Sequence, residues 1–279
     1  MKKYLIIGVR KTHKYGDNQK VSDYLVPFTS SGCSAMCLYC YLVCNYNKCA
    51  YLRVYVNREE ILDKLIARSR KEDGPKTFEI GSNSDLVLEQ AITGSPSIVI
   101  EEFGREGRGY LTFPTKFSSV EPFLELDHRG KTIFRMSVNP QKIIRQVEIG
   151  TSPLNKRIEA INAMAEAGSP VGLIIAPVIL IEGWQELYVD MLDTLADGLS
   201  SLVKKEMFLE VIFMTYSYVH LAINEQAFPG TIKLYHKEQM TGRGRGKYIY
   251  RTEYRREAEA FLRQEIAKRF ACTEILYIV

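Results

Sequence analysis

Five apolar runs read as strands in this 279-residue chain, at 77–81, 110–114, 132–138, 170–176 and 207–214, and helical patterns separate them. Asn57 opens the first such helix, with Glu60 three residues on as in a capping box. Ile61, Leu62, Leu65 and Ile66 follow it at helical spacing. Residues 118–126 read as a short helix. Ser152-Pro153 caps another that runs to Gly168, with proline at its first position and glycine past its end. Residues 182–199 are a further helix. A run as uniformly apolar as 170–176 belongs to a strand covered on both faces. Strands of that kind joined by helices make right-handed crossovers and a parallel sheet. The predicted fold is α/β, a partial (β/α) TIM-type barrel, although an open sheet fits the same count.

The pattern changes near residue 228. Residues 231–236 and 247–251 are strand-like and flank a segment containing Gly242, Arg243, Gly244, Arg245 and Gly246. This predicts a β-hairpin with a flexible basic tip. A helix at 257–270 and a strand at 274–279 follow. The expected organisation is a barrel over 1–228 and a hairpin, helix and strand extension over 229–279 packed on it.

Net charge is +4, which permits a polyanionic partner without demanding one. No apolar run reaches the ~18–20 residues that span a bilayer, so no membrane partner is expected. The opening Met-Lys-Lys-Tyr-Leu-Ile-Ile-Gly-Val-Arg has too short an apolar stretch for a signal peptide. A cytoplasmic location follows as an expectation.

Five of the six cysteines lie between Cys33 and Cys49. Such bunching in a reducing compartment points to a metal site more than to disulfides. Cys33, Cys37 and Cys40 stand at the spacing Cys-x3-Cys-x2-Cys. A short loop with this spacing can offer three thiolates to three irons of a 4Fe–4S cluster. The fourth iron then has no protein ligand and is open to S-adenosylmethionine. Soft thiolates favour iron–sulfur or zinc. Zinc would need a fourth ligand, which Cys44 or Cys49 could supply. A loop of cysteines that binds no metal is the blandest alternative. Cys44 and Cys49 could otherwise fill space or donate hydrogen atoms. Cys272 reads as a small buried hydrophobe.

Further blocks follow the cysteine loop in order. They are Gly81-Ser82-Asn83-Ser84-Asp85, Thr115-Lys116-Phe117, 131–138, Gly150-Thr151-Ser152-Pro153-Leu154-Asn155-Lys156-Arg157, Ala167-Gly168, Ala176-Pro177, Glu182-Gly183-Trp184 and Gly246-Lys247-Tyr248-Ile249-Tyr250. Together with the loop, this series resembles the spore photoproduct lyase family over nearly the whole chain from Asp23. These are radical S-adenosylmethionine enzymes that split the thymine dimer of spore DNA. The resemblance implies that Cys33, Cys37 and Cys40 ligate the cluster. It implies that Tyr39 lies against S-adenosylmethionine and Tyr41 near the radical and substrate. Ser84, Lys116, Ser137 and Ala176 would line the cofactor, with Lys116 pairing its carboxylate. DNA would be the partner, with an electron donor such as flavodoxin or ferredoxin, and the protein would be a monomer.

The chain departs from the family pattern in three places. Aligned on Ser84-Asp85, Ser82 stands where the lyases carry a hydrogen-donating cysteine. A serine O–H is too strong to quench a thymine-centred radical. The hairpin tip has Arg243 and Arg245, which suit phosphates or a minor groove, but no tyrosine between its glycines. The block Met214-Thr215-Tyr216-Ser217-Tyr218 lacks the expected His-Arg pair. Three readings remain open at this point: a DNA-repair lyase with another hydrogen donor, a radical paralogue acting on another nucleotide or small molecule, and a metal-containing DNA-binding module without catalysis.

Overall fold

The structure is a computed structural model that describes residues 4–44 and 51–279. Cys49 and the side chain of Cys44 lie outside the described residues.

Eight strands form the main sheet. They are β1 (Gly16–Asp17), β2 (Tyr24–Leu25), β3 (Thr77–Glu79), β4 (Tyr110–Thr115), β5 (Thr132–Val138), β6 (Val171–Val178), β7 (Phe208–Phe213) and β8 (Glu274–Ile278). Their spatial order is their chain order, from β1 at one edge to β8 at the other. From β2 to β8 every pairing is parallel, and β1 is antiparallel to β2. The sheet curls into a half-barrel with helices outside it, as the strand-helix alternation predicts.

Residue alternation explains the two faces. Phe134, Met136 and Val138 on β5, Leu173 and Ile175 on β6, and Leu209 and Val211 on β7 join the helix-covered core. Each such side chain contributes about 1.5–3 kcal/mol by leaving water. The residues between them, Arg135 and Ser137, Ile174 and Ala176, and Glu210 and Ile212, point to the concave side. The covering helices include α1 (Arg58–Lys71), α2 (Leu86–Thr93), α3 (Ser95–Glu106), α4 (Gln141–Val147), α5 (Leu154–Glu166), α6 (Trp184–Gly198), α7 (Tyr218–Ala227) and α8 (Thr252–Arg269).

Several local expectations need correction. Asn57 does precede α1, but its side chain makes no cap hydrogen bond. It bonds Arg10 and Glu60 instead. Pro153 is the N-cap of α5 rather than its first residue. Residues 118–126 form only a 3-10 turn at Glu121–Phe123, since both Ser118 N–H and Oγ are drawn to Ser152 Oγ. Cys272 is exposed, because it lies in the turn that joins α8 to β8 while Phe270 takes the buried place beside it. Among the described residues no helix is long and apolar enough to cross a membrane.

The hairpin is tighter than the sequence suggests. Its strands are Met240–Gly244 and Lys247–Tyr250, and residues 231–236 form no strand. Gly244 pairs with Lys247, which leaves a two-residue turn of Arg245 and Gly246. Both have positive φ, 51° and 69°, as a type I′ turn requires. A Cβ on Gly246 would lie 2.3 Å from the Tyr218 ring. The glycines that suggest flexibility are therefore serving a sharp, packed turn. Arg243 is the extra residue of a bulge between the pairs made by Gly242 and Gly244.

Candidate active site in the half-barrel

A cavity of about 540 Å³ occupies the concave side and the carboxyl ends of the strands. Cys33, Cys37 and Cys40 line it at one end. Their loop is pinned by its backbone. Gly32 N–H bonds Asn83 O at 2.7 Å, Leu38 N–H bonds Val147 O at 2.9 Å, and Cys40 N–H bonds Cys37 O at 3.0 Å. Met36 and Cys37 pair antiparallel with Glu148 and Ile149. Gly32 has φ +88°, and a Cβ there would meet Tyr51 O at 2.3 Å. From α7, Asn224 Nδ2 bonds Leu38 O at 2.7 Å. Burial pushes the Cys37 thiol well up, Glu148 adds to this, and Lys116 opposes it. A metal that takes this sulfur as thiolate must displace a firmly held proton.

Next to the loop lies a charged rim. Glu148 is fully buried and receives Lys116 Nζ at 2.8 Å, Arg157 Nη2 at 2.7 Å, Asn139 Nδ2 at 2.9 Å and Tyr39 Oη at 2.6 Å. Burial pushes the Glu148 carboxyl up, but Lys116 and Arg157 outweigh it and hold it at about 2. Burial also pushes the Tyr39 phenol well up, and the Glu148 carboxylate reinforces that. Lys116 gives its other protons to Ser137 Oγ at 2.5 Å and Ala176 O at 2.8 Å. The structure thus joins Tyr39, Lys116, Ser137 and Ala176 in one hydrogen-bonded group. All three protons of Lys116 are committed, so a cofactor carboxylate would have to take over one of these positions.

Ser84 lies in the turn after β3 and lines the cavity. Its Oγ is buried without a hydrogen-bond partner among the described residues. An unsatisfied buried hydroxyl costs about 1–3 kcal/mol, which a ligand in the cavity would relieve. Asp85 beside it caps α2 through Val87 N–H and Leu88 N–H and accepts from Thr115 Oγ1 at 2.9 Å. Burial pushes the Asp85 carboxyl up, and these hydrogen bonds work against that shift. Asp85 also accepts Lys116 N–H at 3.2 Å, which fixes the turn and the rim to one another.

The remaining expected residues lie apart from this group. Tyr41 is 43% exposed, and its hydroxyl donates to Ser82 O and approaches Asn83 Oδ1 at 3.1 Å. The turn contributes Ser84 and Asp85 to the cavity wall, while Ser82 sits against Tyr41. Arg243 and Arg245 are exposed on the hairpin.

The floor of the cavity is a second ion network. Arg135 sends Nη1 to Glu210 Oε1 at 3.0 Å and Oε2 at 3.1 Å, Nη2 to Glu79 Oε2 at 2.5 Å, and Nε to Thr112 Oγ1 at 2.9 Å. Tyr277 Oη donates to Glu210 Oε2. The sequence reading missed Glu79, Arg135, Glu148, Arg157, Glu210 and Tyr277. A charge inside an otherwise apolar strand, as at Arg135 and Glu210, was the signal available for the floor.

Comparisons with known proteins agree with this fold. The family model described as spore photoproduct lyase matches residues 1–279. The spore photoproduct lyase of Bacillus subtilis is 38% identical over 258 residues, covering 90% of this chain and 75% of that protein. That of a Geobacillus species is 33% identical over 285 residues, covering 99% and 82%. A solved spore photoproduct lyase complexed with dinucleoside spore photoproduct superposes with a TM-score of 0.91 at 31% identity, covering 99% of this chain and 82% of that one. A variant solved with bound AdoMet and the same dinucleoside gives the same values.

Proposed function

This chain belongs to the spore photoproduct lyase family, whose members are radical S-adenosylmethionine lyases, and we propose that it repairs the spore thymine dimer of DNA through a 4Fe–4S cluster on Cys33, Cys37 and Cys40. The observation that carries the proposal is the meeting of three cysteines, the Lys116 cation and the orphaned Ser84 hydroxyl in one cavity. These residues fit the two groups. Cys33, Cys37 and Cys40 line the cavity together, and their spacing along the chain suits three thiolates on three irons of a cubane. With both groups held there by these residues, the cluster and S-adenosylmethionine would supply radical chemistry.

The chain's own groups then hold and orient. Tyr39 and Lys116 are locked on Glu148, so the rim is built before any ligand arrives. Lys116 offers the cofactor carboxylate a cation, and Ser84 and Ser137 offer it hydroxyls. Tyr41, held against the Ser82 turn, would lie near the substrate. Apolar Leu25, Ile174, Ile212 and Phe213 exclude water from the reacting carbon centres. Arg243 and Arg245 contact the phosphates of duplex DNA from the hairpin. A flavodoxin or ferredoxin would be the electron donor, and the protein would work as a cytoplasmic monomer.

Ser82 supports one qualification about how the reaction ends. The turn offers no thiol to the product radical, so Cys44 or Cys49 returns the hydrogen atom. The test is an anaerobic assay of reconstituted protein with dithionite, S-adenosylmethionine and dinucleoside spore photoproduct. Repair to the thymine dinucleoside is expected, and Cys44→Ala or Cys49→Ala should divert it to sulfinate adducts. Formation of 5′-deoxyadenosine with the dinucleoside left intact would instead favour a paralogue acting on another substrate.

A further inference from the structure

The floor of the cavity has a hydrogen-bonding surplus that the radical chemistry does not use. Arg135 is 3% exposed and Glu210 is fully buried, while Glu79 retains 12% exposure. Both Glu210 oxygens are taken by Arg135, and Tyr277 adds a further bond to one of them. Glu79 Oε2 is taken by Arg135 Nη2. Among the described residues Glu79 Oε1 receives no hydrogen bond, and Glu79 lines the cavity. One carboxylate oxygen, held rigid by a buried guanidinium, is therefore the acceptor that the floor still presents.

The position of this oxygen separates it from the cofactor rim. Arg135 precedes Ser137 by two residues on β5, one inward-facing layer deeper. That layer is about 7 Å from the group made by Lys116 and Ser137, at ~3.3 Å per residue. The charge there has the opposite sign as well, with two carboxylates sharing one guanidinium. Such a floor repels phosphate and carboxylate and attracts a neutral N–H donor. Ile174 and Ile212 line the same cavity, and their apolar faces suit the flat face of a base. A thymine has one N–H donor at its base edge, the imide N3–H, between two carbonyls.

We propose that Glu79 Oε1 accepts the imide N3–H of one thymine of the substrate, and so selects for a thymine base at the floor of the cavity. This deepens the lyase reading and rests on it. It makes Glu79 a specificity-determining residue that takes no part in bond cleavage. The remaining members of the network, Arg135, Glu210 and Tyr277, hold its orientation.

The test uses two ligands and one substitution on the full chain, reconstituted with its cluster. The probes are dinucleoside spore photoproduct and its counterpart methylated on the imide nitrogens, titrated at fixed salt. Wild-type protein should bind the methylated probe about tenfold or more weakly, since a buried charged acceptor loses its donor. In Glu79→Gln the single acceptor oxygen stays with Arg135, and the amide NH2 turns into the cavity. The preference should then fall below about threefold while S-adenosylmethionine affinity is kept. Equal wild-type affinity for the two probes overturns the proposal, and that result stands even if the variant fails to fold. A variant that keeps the full preference overturns it too. A variant that loses S-adenosylmethionine binding instead shows that the oxygen faces the cofactor, and also overturns it. Failure of wild-type protein to bind either probe refutes the lyase reading itself.

Discussion

The rim and the floor of the cavity are both buried ion networks, and they are built with opposite surpluses. At the rim one carboxylate, Glu148, lies between Lys116 and Arg157. At the floor one guanidinium, Arg135, lies between Glu79 and Glu210. The difference gives the cavity an orientation. The side near the cysteines holds two cations on one carboxylate, and the deeper side holds two carboxylates on one cation. A buried ion network is weak evidence for stability, since apolar residues of similar volume often serve a core as well.

The comparison can be broken most completely at the cysteines. Cys33→Ala should leave the reconstituted protein without most of its iron and sulfide, as measured by chemical analysis, because one of the three thiols that line the cavity is removed. Next in size is Glu148→Gln, which strands the buried Arg157 and the partly buried Lys116 and should cost about 3–5 kcal/mol in urea unfolding. Glu148 also sets a pH dependence. Its carboxyl is held at about 2 in the fold against an ordinary value of 4.5. The stabilisation, on the order of 3 kcal/mol, is complete above about pH 4.5 and is lost as pH falls towards 2. The variant should show a flatter acid limb than the wild type.

A smaller change sharpens the contrast from the other side. Tyr277→Phe removes one hydrogen bond to buried Glu210 and should cost about 1 kcal/mol in the same unfolding measurement. S-adenosylmethionine affinity should stay unchanged, and a fall would show that rim and floor are not separate. The smallest effect lies outside the cavity. Arg245→Ala should lower the salt slope of duplex DNA binding by about one and leave dinucleoside affinity alone.

Much of the frame was readable from the chain. The apolar runs at 132–138 and 170–176 announced central parallel strands, and the structure has them at Thr132–Val138 and Val171–Val178. Cys33, Cys37 and Cys40 announced their loop by spacing alone, and all three line the cavity. Lys116, Ser137 and Ala176 come together in it, but Glu148, the carboxylate that holds Lys116, was invisible. Glu148 follows a helix with no local pattern to mark it, and its role comes from pairing with the cysteine loop more than 100 residues away. Helices α2, α3, α4 and α7 were also missed. Short helices beside Gly94, Pro96 and Pro140 carry breakers that hide their period, and packing on the sheet decides them. The hairpin misled for a related reason. Glycine spacing looks the same for a floppy tip and for a turn that needs positive φ.

The most direct test of the two-sided cavity is paired binding to Lys116→Gln, reconstituted anaerobically with its cluster. The titrants are S-adenosylmethionine and dinucleoside spore photoproduct, each measured alone. Loss of the rim cation should weaken S-adenosylmethionine by about tenfold or more and move the dinucleoside by less than about twofold. An unchanged affinity for S-adenosylmethionine, or a loss confined to the dinucleoside, would contradict the assignment of the rim to the cofactor and the floor to the substrate.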